Sequence, residues 1–171
     1  MSPEPLHVVV MGVAGCGKSV VGTELAQRLA LPLIEGDDFH PPGNIAKMRQ
    51  GVPLGDDDRA DWLAALAQAL LAHPAGAVLT CSALKRSYRD RLRQGAPALH
   101  FLHLSLTPHQ ALERVAARTD HFYPPSLVAS QFEALENPAS EPRVRAVDAT
   151  QHVDRLVEEA TAWLQRPFNN A

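Results

Sequence analysis

His7-Val8-Val9-Val10-Met11-Gly12-Val13-Ala14-Gly15-Cys16-Gly17-Lys18-Ser19 is the stretch that decides how the chain folds. Its first five residues are a short apolar run rich in valine, the pattern of a strand buried on both faces. A helical pattern opens at Ser19 and stops before Pro32. Between them, Gly12 to Ser19 fits G-x-x-x-x-G-K-[ST] in the strand-then-helix setting that gives this pattern its meaning. Glycines at 12, 15 and 17 let the backbone bend until several N–H groups converge on one point. The following helix adds the positive end of its dipole. Such a loop cradles phosphate, with Val13, Ala14 and Cys16 filling the positions between the glycines. Lys18 supplies a point charge for β- and γ-phosphates, and the Ser19 hydroxyl is placed to ligate Mg²⁺. ATP and Mg²⁺ are the expected cofactors. A thiol at a helix N-terminus can have a lowered pKa, but Cys16 is read first as a small residue filling a tight loop.

Working outward, strand-like and helix-like patterns alternate to the end of the chain. Strands are expected at 32–35, 76–81, 99–104 and 144–147, besides the first. Helices are expected over 85–94, 108–118, 126–135 and 153–164, with a short one around 45–50 and another opening at Asp58 as its N-cap. Trp62, Leu66, Ala69 and Leu70 form the apolar stripe of that last helix. Trp62 and Trp163 are therefore read as core. Lys85, Arg86, Arg89, Arg91 and Arg93 read as a solvated face, with Lys85 singled out because it opens its helix just beyond a strand. Strands separated by helices imply right-handed βαβ units and a parallel sheet covered on both faces. Ligands then gather beyond the carboxyl ends of the strands. No repeat or second unit interrupts the pattern, so residues 1–171 are expected to be one domain.

Composition narrows the functional classes. A net charge of -3 argues against a general nucleic-acid or membrane-surface role. The nine Phe, Trp and Tyr residues lie mostly at core-like positions, which leaves no stacking platform for single strands. Two scattered cysteines make neither a disulfide framework nor a metal pattern and suit a reducing cytoplasm. The N-terminus lacks a basic region ahead of its short apolar run, and no run approaches the ~20 residues of a membrane span.

A P-loop alone does not separate kinases from other NTPases. The absence of a guanine-reading NKxD-like motif, and arginines near a late loop, suggest a small kinase of the nucleoside-monophosphate-kinase type. Gly36-Asp37-Asp38-Phe39-His40-Pro41 sharpens this. With Asn44-Ile45-Ala46-Lys47-Met48, Gly51-Val52-Pro53-Leu54, Asp56-Asp57-Asp58-Arg59, Trp62-Leu63, Cys81-Ser82-Ala83-Leu84-Lys85, Tyr88-Arg89-Asp90, His121-Phe122 and 130–138, it resembles the small P-loop gluconokinases. The family often has Asn or Thr where Gly55 stands. Its Val-Asp-x-Asp near the last strand reads Val147-Asp148-Ala149-Thr150 here.

The resemblance implies a three-layer α/β fold of the nucleoside-monophosphate-kinase/shikimate-kinase type. Its five-stranded parallel sheet would have the order 2-3-1-4-5, with a lid over 119–125. It also implies ATP-dependent phosphorylation of D-gluconate on its 6-hydroxyl, and a homodimer. Residues 37–60 become the substrate segment. Asp37 would orient the attacking hydroxyl and take its proton, and Asp38 stays a turn residue. Read alone, the Asp pair is first a turn and helix cap, and for His40 a structural hydrogen-bonding role stands at least level with a substrate contact. Lys47, Arg49, Arg59 and Lys85 are cations able to hold a carboxylate, and His121 joins them as a substrate contact. Asp56-Asp57-Asp58 reads as a solvated acidic run and helix start. Arg114 and Arg118, one helical turn apart, resemble lid arginines that neutralise transferring charge, so Lys18, Asp37 and Arg118 are the catalytic candidates. A shikimate-type kinase is the nearest alternative, but Glu35-Gly36-Asp37 stands where its usual Asp-x-Asp is expected. A regulatory nucleotide-binding module is the alternative from another class, and intact Lys18, Ser19 and Asp37 argue against it.

Overall fold

A computed structural model of the chain describes residues 5–117 and 124–166. Five parallel strands, β1 (Leu6–Met11), β2 (Leu33–Glu35), β3 (Gly76–Thr80), β4 (His100–Ser105) and β5 (Val144–Asp148), form one sheet in the order β2-β3-β1-β4-β5. The helices are α1 (Lys18–Leu29), α2 (Pro42–Arg49), α3 (Asp56–Leu71), α4 (Arg86–Arg93), α5 (Pro108–Ala117), α6 (Ser126–Ala134) and α7 (Val153–Leu164). Short 3₁₀ turns cover Gly36–Phe39 and Pro138–Ser140.

The apolar run of β1 does what its composition dictates. Val8, Val9, Val10 and Met11 are all fully buried. Successive side chains point to opposite faces. Val8 and Val10 join a core with Val21 and Leu25 of α1 and Leu156, Val157 and Ala160 of α7. Val9 and Met11 join a second core with Trp62, Leu66 and Leu70 of α3 and Tyr88 and Leu92 of α4. Because β1 lies between β3 and β4, the loop leaving it opens onto the centre of the carboxyl edge. Among the described residues, no helix is long and apolar enough to cross a membrane.

Two sequence expectations change. α3 begins at Asp56, two residues before the expected cap. Gly55 occupies the cap position, and Asp58 sits in the first turn, accepting the Gly55 N–H at 2.9 Å. A carboxylate there satisfies an orphan donor and opposes the helix dipole, as a cap would. On helix α4, Arg86 and Arg91 are exposed as expected, but Arg89 is not. Arg89 is fully buried and bonds Glu141 at 2.6 Å, while also donating to the carbonyls of Ala83, Leu84 and Glu136. Burial pushes the Glu141 carboxyl up, but hydrogen bonds from Arg89 and Arg93 outweigh that and hold it below the usual carboxylate range. The pair pins the loop after β3, in which Ala83 has φ 47°, to the chain beyond α6.

Candidate active site

The Gly12–Ser19 loop takes the shape its glycines permit. Gly12, Gly15 and Gly17 have φ of 151°, 83° and 95°. A Cβ on Gly12 would stand 2.7 Å from the Cys16 sulfur and 2.8 Å from the Leu104 carbonyl, so the site excludes any side chain. Cys16 is buried against that glycine as packing. The Lys18 ammonium lies over the loop and donates to the Gly12 and Val13 carbonyls at 3.0 and 3.1 Å. Gly12 N–H donates to the Ser82 carbonyl at 3.3 Å, tying the loop to the segment after β3.

Behind the loop stands a residue that sequence reasoning passed over. Glu35, at the end of β2, accepts from Ser19 Oγ at 3.2 Å and from Thr80 Oγ1 at 2.7 Å. Thr80 Oγ1 in turn accepts from Gly36 N–H at 3.1 Å. The serine proton is thus committed to Glu35, which leaves an oxygen lone pair for a cation. This oxygen donor set fits Mg²⁺, which takes few protein ligands and completes its shell with phosphate and water. Among the described residues no cluster of three or more His, Cys, Asp or Glu could hold a metal without such help. The signal for Glu35 was its place beside the Gly36-Asp37 turn, but its contact with Ser19 depends on β2 pairing with β3.

The acceptor side is built on the 3₁₀ turn after β2. Gly36 is packed so closely that a Cβ would stand 2.0 Å from the Thr80 carbonyl. Trp62 Nε1 donates to the Gly36 carbonyl at 2.7 Å and fixes the turn from below. Asp37 then projects outward with its side chain 87% exposed, and His40 Nε2 lies 4.0 Å away. His40 stacks on Trp62 at 4.0 Å between ring centroids, so Trp62 is both core and platform. Asn44 Nδ2 donates to the Asp58 carbonyl at 2.8 Å, and the same amide group lies 3.2 Å from His40 Nδ1. Nδ1 must accept there, which puts the ring proton on Nε2, facing Asp37. Burial lowers the His40 pKa; Asp37 opposes that shift and Arg59 adds to it.

The four expected carboxylate-binding cations are not equivalent. Lys85 bonds Asp56 at 2.9 Å, and the Tyr88 hydroxyl donates to the same carboxylate oxygen. Those hydrogen bonds hold Asp56 below its ordinary pKa. Arg59 is buried, donates to the Leu54 carbonyl at 2.7 Å and lies 3.3 Å from the Tyr88 hydroxyl. Lys47 bonds Asp58 at 2.7 Å. Arg49 is exposed in the last turn of α2. The structure therefore gathers Arg59 and Lys85 around Asp56 and Tyr88, and sets Lys47 and Arg49 apart. The acidic run is more than a solvated patch, since two of its members hold cations.

Arg114 closes the opposite side. It donates to the Gly15 and Cys16 carbonyls at 3.2 and 3.4 Å and to the Ala149 carbonyl at 2.8 Å. That last contact joins the P-loop to the turn after β5. There Asp148 accepts from both the backbone N–H and the hydroxyl of Thr150. Arg118, His121 and most of the expected lid over 119–125 lie outside the described residues.

Comparison with known proteins agrees with this arrangement. A family model described as an AAA domain matches residues 8–142. A gluconokinase of Gluconobacter oxydans (strain 621H) is 44% identical over 170 residues, covering 96% of this chain and 94% of that protein. The thermosensitive gluconokinase of Escherichia coli (strain K12) is 42% identical over 155 residues, covering 88% and 83%. The crystal structure of a gluconokinase from Sinorhizobium meliloti 1021 superposes with a TM-score of 0.87 at 49% identity, covering 94% of this chain and 92% of that one. A nucleotide-binding P-loop at the centre of a five-stranded parallel sheet, faced by the Gly36-Asp37 turn and matched along almost its whole length by such relatives, places the chain in the gluconokinase family.

Proposed function

We propose that this chain transfers the γ-phosphoryl group of ATP to the 6-hydroxyl of D-gluconate, giving ADP and 6-phospho-D-gluconate. The observation that carries the reading is the placing of an exposed Asp37, on a turn locked by Gly36 and Trp62, one strand away from the phosphate loop. In this reading Lys18 leaves the carbonyls it now contacts and moves to the β- and γ-phosphates. Ser19, with Glu35 behind it, would hold Mg²⁺, which would neutralise charge on the phosphate oxygens. Asp37 orients the 6-hydroxyl and takes its proton as the new O–P bond forms and the bond to the β,γ-bridging oxygen breaks. The Nε2–H of His40 steadies that carboxylate. Transfer of this kind rests on positioning and charge stabilisation, so an ordinary carboxylate is base enough.

Arg59 and Lys85 receive the gluconate carboxylate in place of Asp56, and Lys47 and Arg49 flank the entrance. Arg114 holds the loop from the β5 side. Arg118 and His121 are proposed as further phosphate and substrate contacts. The enzyme is proposed to work in the cytoplasm as a homodimer, which sedimentation would test. Phosphorus-31 NMR of ATP, Mg²⁺ and gluconate with the enzyme tests the reaction. A new phosphomonoester resonance coupled to the C6 protons is expected. A resonance coupled elsewhere on the chain, or only inorganic phosphate, would contradict it.

A further inference from the structure

Ala14 lies in the middle of the phosphate loop, yet its N–H is already taken. It donates to the side-chain oxygen of Gln131 at 2.6 Å, across 117 residues of sequence. A backbone N–H can only donate, so this contact fixes the orientation of the carboxamide. Its oxygen is on Ala14, which leaves its NH₂ group to donate to another acceptor.

Gln131 belongs to α6, whose position relates the loop to the acceptor side. At the start of α6, Ser126 and Pro124 lie against Gly51, just beyond α2 of the acceptor segment. A Cβ on that glycine would be 3.5 Å from Ser126 Oγ and 3.8 Å from Pro124. Beyond the end of α6, Glu136 N–H donates to the Leu84 carbonyl at 2.8 Å, and its carboxylate accepts from Arg86 N–H at 2.7 Å. Leu127 and Val128 are buried and hold the helix down. Helix α6 and the residues just beyond it thus touch the acceptor segment, the phosphate loop and the chain on both sides of Lys85. Gln131 thus reaches the middle of the phosphate loop from a helix whose first turn lies against the acceptor segment.

We propose that Gln131 takes part in phosphoryl transfer: its amide oxygen holds the Ala14 peptide, and its NH₂ group donates to the terminal phosphate of ATP. The role requires a neutral amide. Glutamate would keep an acceptor for Ala14 but set a negative charge beside the phosphates, and methionine would keep the bulk but lose both functions. This rests on the P-loop kinase reading and deepens it.

The test compares Gln131→Glu and Gln131→Met with the parent in two measurements. Affinities for ATP and ADP with Mg²⁺ are taken by calorimetry without acceptor, and kcat is taken with gluconate. Both variants should lose about tenfold or more in kcat. Gln131→Glu should weaken ATP about tenfold more than ADP, because only ATP carries the phosphate concerned. A merely structural role would spare Gln131→Glu, which keeps the bond to Ala14, and would leave the ATP-to-ADP ratio unmoved. Either of those results, with thermal melts showing folded protein, overturns the proposal. The nucleotide measurement does not depend on the acceptor. Failure of the parent enzyme with gluconate would therefore count against the substrate reading and not against Gln131.

Discussion

At the residue scale, the proposed roles divide between groups that would hold charge and a group that would move a proton. Among the described residues, the Lys18 ammonium makes its hydrogen bonds to the carbonyls and sulfur of its own loop, and the side chain is not part of either core, so removing it opens no core cavity. Lys18→Ala should therefore lower kcat by ~10²-fold or more while the melting temperature stays close to that of the parent, as a stopped assay and a thermal melt would show. Asp37 poses the opposite case. Its carboxylate is exposed and makes no hydrogen bond to the P-loop among the described residues. Asp37→Asn keeps its size and removes the proton acceptor, so turnover at saturating substrates should fall by ~10²-fold with the ATP affinity unchanged. Collapse of ATP affinity with turnover preserved would assign Asp37 to the nucleotide site. Much of this was legible in the sequence, because phosphate loops need glycine at fixed spacing and leave that mark. Glu35 was not, since its contact with Ser19 is created by packing and carries no local pattern, and Gln131 entered only within the 130–138 motif, with no contact to Ala14 to be read from it.

At the scale of elements, the strands were read to within a residue or two because each is an apolar run bounded by Gly, Pro or charge. The start of α3 was misread for a physical reason. Three consecutive aspartates offer three possible caps, and a glycine in the cap position carries no side-chain signal. Arg89 could have been found, since Tyr88, Arg89 and Leu92 share one helical face and two of the three are plainly core. Its ion pair with Glu141 is fully enclosed, so losing one partner strands a buried charge. Glu141→Ala should cost ~3–5 kcal/mol in urea unfolding. Glu141→Gln, which keeps acceptors for the guanidinium, should cost less. Equal, small losses would mean that Arg89 finds solvent when its partner is gone.

At the scale of the whole molecule, the strand order could not be read from helix and strand lengths alone; the family resemblance supplied it, and the structure has it. The sheet buries His100 and His103, whose titration makes the stability of the fold depend on pH. His100, edge-on to Trp163, has its pKa lowered to about 4 by burial and by Arg143, against a raising contact from His7. Burial lowers His103 as well, and Arg89 adds to the shift. The unfolded chain then binds protons that the native state refuses, so stability is full above about 6.5 and declines as pH falls toward about 4. The paired carboxylates add a second loss only below the ordinary carboxylate range, because their folded pKa values are depressed. Urea midpoints between pH 7 and 4 should show the first decline, and His100→Gln should flatten part of it. A midpoint independent of pH over that window would contradict the assignment.

In the proposed function the P-loop, the Asp37 turn and the Arg59–Lys85 pair act as one site for a carboxylated polyol. A coupled assay of ADP release tests it most directly, run with ATP and Mg²⁺ against gluconate, shikimate and a set of nucleoside monophosphates. Gluconate should give the highest kcat/KM, with the other acceptors near the background of ATP hydrolysis. Faster turnover of shikimate or of a nucleotide than of gluconate would contradict the account.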